Sequence, residues 1–368
     1  MKRLKFLHKL LFFFNVLAAI SLLLAYVSPY INPSDFWPVA FFGLGLPYLF
    51  LINVIFLLIW VILGNMRFVL PLLIIFLGYK SVPRYFQLRF NPPVEKENSI
   101  KVMSFNVRVF DLYMWSKDKS TRNQIFDFLK EEQPDVLCLQ EFYQSDTTRS
   151  NYEFKTLDTL VQFLKAKNYH TYYTTTLRRT DHWGLVTFSR FPILNKGLVP
   201  FEKSAGNACI FTDIQVGPKI YRVYNAHLAS IKLNKHDYKA MQKINQNDYS
   251  NDFDDEKLLF SKLKAGFIRR ATQADSINSS IQNSPYPVIV CGDFNDTPAS
   301  YAYQTIRGEL IDGFIESGSG SGQTYIGEFP SFRIDYILHD DILKSENFTT
   351  HSEKLSDHHP ISVLLHPR

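Results

Sequence analysis

The residues best suited to chemistry stand where apolar runs end. In VIVCGDFNDTP, residues 288–298, four strand-forming residues give way to Gly-Asp-Phe-Asn-Asp, which is turn chemistry, and a carboxylate and a carboxamide, Asp293 and Asn295, stand two apart. The placement recurs. Asn106 ends IKVMSFN, Glu141 follows PDVLCLQ, His227 ends IYRVYNAH after Asn225, and Asp335 opens DYIL. Asp357 and His358 sit in LSDHHP, just before ISVLL. Acid, amide and imidazole groups gathered at strand ends are how a rigid sheet builds one shared site. Carboxylates without cysteine suit a hard, oxygen-ligated cation such as Mg2+ or Mn2+. Histidines beside carboxylates suit work on an anion.

Each residue has an ordinary alternative when taken singly. Asp293 and Asn295 read as a turn capping its own backbone. Glu141 reads as a surface residue after a buried strand, Asp335 as an ion pair with Arg333, His358 as a cap, and Asn106 as an amide tying down a loop. Joint occurrence favours one site, because independent turns have no reason to supply every member of a metal–phosphate centre. Outside the set the ordinary reading stands. His170, His182, His236, His339 and His351 are expected to be solvated, Arg178 and Arg179 to be a solvated pair, and Asp296 to cap its turn. The three cysteines, Cys138, Cys209 and Cys291, form no metal-binding spacing; Cys138 and Cys291 lie in apolar runs and read as small buried hydrophobes.

The elements that must position the set alternate. Strands are expected at 100–106, 134–140, 184–188, 220–227, 288–291, 335–338 and 361–365. Helices are expected at 121–132, with Ile125, Phe126 and Leu129 on one face, at 157–166 and at 257–281. Residues 234–255 read as a polar surface excursion, and the Gly/Ser run at 317–322 as a flexible loop. This mixture favours two packed sheets flanked by helices.

The first ninety residues differ from the rest. They hold eight Lys or Arg and one acid, so the remainder of the chain's 40 basic and 35 acidic residues is close to balance. The body is therefore not a basic nucleic-acid-binding surface by charge. Apolar runs near 10–31, 41–63 and 67–82 predict two or three transmembrane helices in a 1–90 anchor, the third also compatible with a re-entrant segment. A linker at 91–98, with Asn91-Pro92-Pro93, leads to a domain over 99–368. The first run has the basic start of a cleaved signal peptide, but it is long and lacks a clear small-residue cleavage site. Lys2, Arg3, Lys5 and Lys9 hold the N-terminus in the cytoplasm, and an odd number of crossings puts the domain outside; Lys80, Arg84 and Arg89 pull the other way.

Six words occur in a fixed order: SFNV at Asn106, PDVLCLQE at Glu141, NAHL at His227, GDFND at Asp293–Asp296, RIDYIL at Asp335 and SDHHP at Asp357 and His358. With them, residues 99–367 resemble the endonuclease/exonuclease/phosphatase superfamily, the deoxyribonuclease-I-like fold. The resemblance implies a four-layer α/β sandwich and Mg2+-dependent hydrolysis of a phosphate ester. By match, Glu141 resembles the main metal ligand, with Asn106 beside it and Asp357 a further ligand. His358 resembles the histidine that binds or protonates the phosphate, and Asp335 its orienting carboxylate. Asp293 resembles the group that aligns or deprotonates water. Asn295 and His227 resemble phosphate-facing groups, and Arg270 matches a weaker substrate-contact position. The expected partners are a lipid bilayer and a phosphoester: phospholipid, nucleotide or nucleic acid. Anchoring favours a membrane-borne substrate. A nuclease is the alternative within the class, and a catalytically silent ligand-binding protein the alternative outside it.

Overall fold

The computed structural model describes residues 2–89, 99–146, 155–164, 166–201, 206–231, 253–327 and 332–368. The linker at 91–98, His236 and most of the excursion at 234–255 lie outside the described residues; the last residues of that excursion open a long helix instead.

The N-terminal part has helices α1 (Lys2–Val27), α2 (Pro33–Phe36), α3 (Pro38–Leu44), α4 (Leu46–Ile62) and α5 (Val69–Leu77). Among the described residues one unbroken helix, Lys5–Tyr30, is long and apolar enough to cross a membrane. The expectation of two or three such helices is corrected here. The run at 41–63 is split, because α3 and α4 meet at 68°. Gly45 stands at the break, and Pro47 brings to the first turn of α4 a residue with no N–H to donate. The run at 67–82 yields only the short apolar helix Met66–Leu77, which includes α5 and falls well short of the roughly 20 residues a span needs. Polar side chains join α1 to α4: Trp60 Nε1 donates to Asn15 Oδ1 at 2.9 Å, and Asn53 Nδ2 to the Ala18 carbonyl at 3.0 Å.

The body consists of two six-stranded sheets flanked by helices, the α/β sandwich anticipated above. The strands are β1 (Ile100–Asn106), β2 (Val136–Ser145), β3 (Asn168–Leu177), β4 (Asp181–Ser189), β5 (Ile193–Val199), β6 (Ala208–Val216), β7 (Lys219–His227), β8 (Val288–Asp293), β9 (Ile311–Asp312), β10 (Asp335–His339), β11 (Leu343–Thr350) and β12 (Ile361–Pro367). One sheet runs β11-β12-β1-β2-β4-β3 and the other β5-β6-β7-β8-β10-β9. Val102, Val136 and Cys138 meet Val223, Ile289, Cys291 and Ile337 between the sheets. Apolar strands buried on both faces read as continuous runs, which is why VIVC and VLCL show no alternation. The outer faces are covered by α6 (Thr121–Glu132) and α7 (Thr156–Leu164) on the first sheet. The long helix α8 (Phe253–Gln282) and the short α9 (Tyr301–Arg307) cover the second. All three cysteines are buried and free.

The two parts are packed together. Phe41 of α3 stacks on Phe260 of α8 at 4.3 Å, and Leu259, Leu263 and Phe267 cluster with Ala40, Phe41 and Leu44. Arg84 Nη1 donates to the Pro298 carbonyl at 3.2 Å, and Arg333 Nε to the Arg84 carbonyl at 3.1 Å. Gly320 pairs through its backbone with Gln87, so the Gly/Ser run is partly docked. Several histidines expected in solvent are enclosed. His339 is fully buried, 3.2 Å from Glu316, and His170 is buried with Nδ1 3.0 Å from Thr212 Oγ1. His351 meets Ser362 Oγ at 2.8 Å, and His182 bridges Thr176 and Asp146 at 3.0 Å each. Strand packing around them outweighs the polarity that suggested exposure.

Candidate active site

Register brings the strand ends together. β7 and β8 are parallel, with His227 opposite Asp293; β8 and β10 are antiparallel, with Asp335 opposite Asp293. Three candidate residues thus stand in one row across three adjacent strands. In the facing sheet β1 and β2 are parallel, with Asn106 opposite Gln140. The β2–β4 register slips between Leu139 and Phe142, and Glu141 takes a φ of +50°. That bulge re-aims the Glu141 side chain, a common use of bulges beside functional sites.

The turn after β8 builds the centre. Gly292 has a φ of +148°, and a Cβ there would fall 1.9 Å from the Ala226 carbonyl oxygen. Only glycine allows β7 and β8 so close. Asp293 Oδ1 accepts from the Asn295 backbone N–H at 2.8 Å, and Oδ2 accepts from Asn106 Nδ2 at 2.9 Å and Asn295 Nδ2 at 3.2 Å. The ordinary turn reading is therefore true as well, and the turn aims the pair. Asn106 Nδ2 also lies 3.3 Å from Glu141 Oε1 on its own sheet, so this amide ties Glu141 to Asp293 of the facing sheet.

His358 Nδ1 meets Asp335 Oδ2 at 2.9 Å, and its Nε2 lies 3.7 Å from Asp293 Oδ2. Arg333, the alternative partner for Asp335, instead gives Nη1 to both oxygens of Asp312 at 3.0 and 2.8 Å. His227 is buried, with Nε2 3.8 Å from both Glu141 Oε1 and Asp293 Oδ2. That nitrogen, like Asp335 Oδ1, has no hydrogen-bond partner among the described residues. Arg270 is buried, Nε on Asp296 at 2.8 Å and Nη1 on the Ala229 carbonyl at 3.0 Å. It braces α8 against the turn, and Asp296 pairs with it besides capping Thr297.

A cavity of about 230 Å3 is lined by Glu141, Asp293, Asn295, Asp357, His358 and Arg270 together with an apolar set that includes Leu44 and Phe267. Asn106, His227 and Asp335 stand behind this lining. Arg108 and Leu44 are among the contributors missed from sequence. Arg108 Nε lies 3.3 Å from Asp357 Oδ2, and its place two residues after Asn106 was the available signal. Leu44 reaches the cavity from the N-terminal helices, which no local pattern indicated.

Electrostatics separate the groups. Burial works against a charged His358, but Asp335, Asp293 and Asp357 outweigh it and raise its pKa to about 10. Burial lifts Asp293 to about 6; His358 and His227 draw it down, while Asp335 pushes it up. Glu141 is raised by burial first and then by the like charge of Asp357. His227 is lowered, chiefly by burial, and so favours the neutral form.

The donor set fits a hard divalent cation. Glu141 and Asp357 repel one another, and Asn106 brings an amide to Glu141. A cation held between the two carboxylates would offset that repulsion with oxygen donors; Asn106 turns its Nδ2 toward Glu141, and its Oδ1 accepts from the Arg108 N–H at 3.1 Å. Ligand atoms of Asp293, Asp335 and His358 also lie within 4.8 Å of one another. The His358 imidazolium already stands between those two carboxylates, 2.9 Å from Asp335 and 3.7 Å from Asp293, and takes the place of a cation there, so the Glu141–Asp357 pair is the better place for a metal.

The chain belongs to the endonuclease/exonuclease/phosphatase family, whose profile matches residues 103–358. Residues 8–85 match a second profile, described as a domain of unknown function (DUF8431). No curated protein matches. Among solved structures, an endonuclease/exonuclease/phosphatase family protein from Leptotrichia buccalis is 17% identical, with a TM-score of 0.50, covering 72% of this chain and 99% of its own. One from Bacteroides thetaiotaomicron is 14% identical, with a TM-score of 0.52, covering 73% and 98%. The human Nocturnin catalytic domain with bound sulfate anion is 17% identical, with a TM-score of 0.50, covering 74% and 94%. At such identities the likeness concerns the fold. Family membership makes a phosphoester hydrolase or nuclease the class of activity.

Proposed function

We propose that the protein is a Mg2+-dependent hydrolase of phosphate esters, held at a membrane by α1 with its catalytic fold outside the cytoplasm. The observation that carries this reading is the charged His358–Asp335 pair, 2.9 Å apart, facing Asp293 beside the Glu141–Asp357 acid pair. This reading takes α1 as a single crossing from the basic N-terminus, which puts the fold outside.

Glu141 and Asp357, with Asn106 beside them, would hold the cation, which when bound would polarise the phosphoryl group and offset charge on its oxygens. Asp293, with a pKa of about 6, is ionised at neutral pH and aligns a water or takes its proton. The water oxygen bonds to phosphorus, the ester P–O bond breaks, and the departing alcohol gains a proton from solvent. His358 stays charged and meets the growing negative charge on the phosphoryl oxygens. Asn295 and neutral His227 flank Asp293 as the polar groups nearest the same oxygens, and Arg270, paired with Asp296, keeps the wall in place. Asp335 fixes the imidazole orientation.

The test is a panel of phosphate monoesters and diesters given to the full-length protein in liposomes, with chelator and after Mg2+ or Mn2+ is restored. Metal-dependent turnover, lowered about a hundredfold or more in Glu141→Gln, is expected. Chelator-resistant turnover, or full activity in the folded variant, would refute the assignment.

A further inference from the structure

We propose that the cavity holds an apolar chain of the substrate in a subsite completed by the N-terminal helices, so that the ester is an amphiphile drawn from the bilayer. The inference rests on the hydrolase reading and adds what the esterified alcohol carries.

Leu44, Ile231, Phe267 and Phe332 line the same cavity as Asp293 and His358. A phosphate is served by charges and donors and gains nothing from four apolar side chains; a hydrocarbon chain gains from each of them. Leu44 and Ile231 are only half-buried, so they keep surface that a ligand can cover. Leu44 is held there by construction. Phe41, one turn earlier on α3, stacks on Phe260 at 4.3 Å and meets Phe267 edge-on at 5.2 Å, clamping α3 to α8. Only Gly45 separates Leu44 from α4, which leaves by the 68° bend and exposes Leu51, Ile55 and Leu58. The cavity wall and an apolar helix surface are therefore continuous along the chain. That continuity points to a bilayer lipid as the occupant, because a soluble ester has no use for it.

The full-length protein in liposomes would receive butyl, hexyl and octyl phosphates and their methyl diesters, each below its micellar concentration, with nucleotides as competitors and Mg2+ present. The expected result is a kcat/KM that rises about two- to fourfold per added methylene, with the rise flattened in Leu44→Asp and in Phe332→Ser. Two variants guard against one failing to fold, and a flattened rise at retained thermal stability separates binding from packing. Hydrolysis independent of chain length, an unchanged rise in both folded variants, or preference for nucleotides would overturn the subsite and leave the hydrolase reading standing. No metal-dependent turnover of any ester would overturn both.

Discussion

Replacing Gly292 by alanine tests whether close approach of β7 and β8 sets the site geometry. The added Cβ would meet the Ala226 carbonyl oxygen at 1.9 Å, whereas ordinary contact begins near 3.4 Å. Relief requires the strands to part by about 1.5 Å at that point, or requires the backbone to leave its φ of +148°. Holding alanine in that conformation costs about 1–3 kcal/mol. Crowding between two packed strands costs about as much again. The neighbouring residue is Asp293, registered against His227 on one side and Asp335 on the other. A displacement of this size at a reacting group lowers turnover by about a hundredfold. Thermal unfolding of the liposome or detergent-solubilised protein reads the stability, and metal-dependent phosphoester turnover reads the alignment. A Gly292→Ala protein with wild-type melting temperature and wild-type turnover would refute the claim that this contact positions Asp293.

Asp293→Asn and His358→Ala are each expected to lower turnover by about a hundredfold or more while the protein stays folded, checked by steady-state kinetics beside circular dichroism. Arg333→Met leaves Asp312 buried without its guanidinium and removes the bond to the Arg84 carbonyl. A loss of about 3–5 kcal/mol is expected in chemical denaturation, partly recovered when Asp312→Asn is added. His170 is lowered to about 4, first by burial and then by the Lys196 charge, so the folded state binds fewer protons than the unfolded chain between about 4 and 6.5. Its stabilising share is complete above the unfolded value and is lost as pH falls. The drop in urea midpoint from pH 7 toward pH 5 should therefore shrink in His170→Asn.

What the sequence determined by itself was the list of chemical parts and the backbone signals around them. Apolar runs ending in Asn106, His227 and Asp293 mark strand ends, because burial and turn propensity are local properties; at Glu141 the strand expected to stop runs on to Ser145 and only a bulge interrupts it. The same locality explains the omissions. β3, β5, β6, β9 and β11 were not anticipated; NYHTYYTTTL and ACIFTDIQV hold the Tyr, Thr and Ile that favour strands, so a signal was present there, whereas LKSENFTT and the two-residue β9 lack one and are completed by pairing with β12 and β10.

Tertiary structure decided the choice among partners. Asp335 stands two residues from Arg333 in the chain, yet it pairs with His358, while Arg333 turns to Asp312. Register across β8 and β10 settles that competition, and register is a property of the whole sheet. The bulge at Glu141, the bend at Gly45 and the reach of Leu44 into the cavity are of the same kind. Hydropathy alone makes residues 41–63 a straight span, because it counts apolar side chains and ignores where a helix must turn. The turn lets α3 pack on α8 and brings an apolar side chain from the N-terminal helices to the candidate site. Spacing along the chain encodes what each residue can do; distances across packed elements determine which of those possibilities it performs.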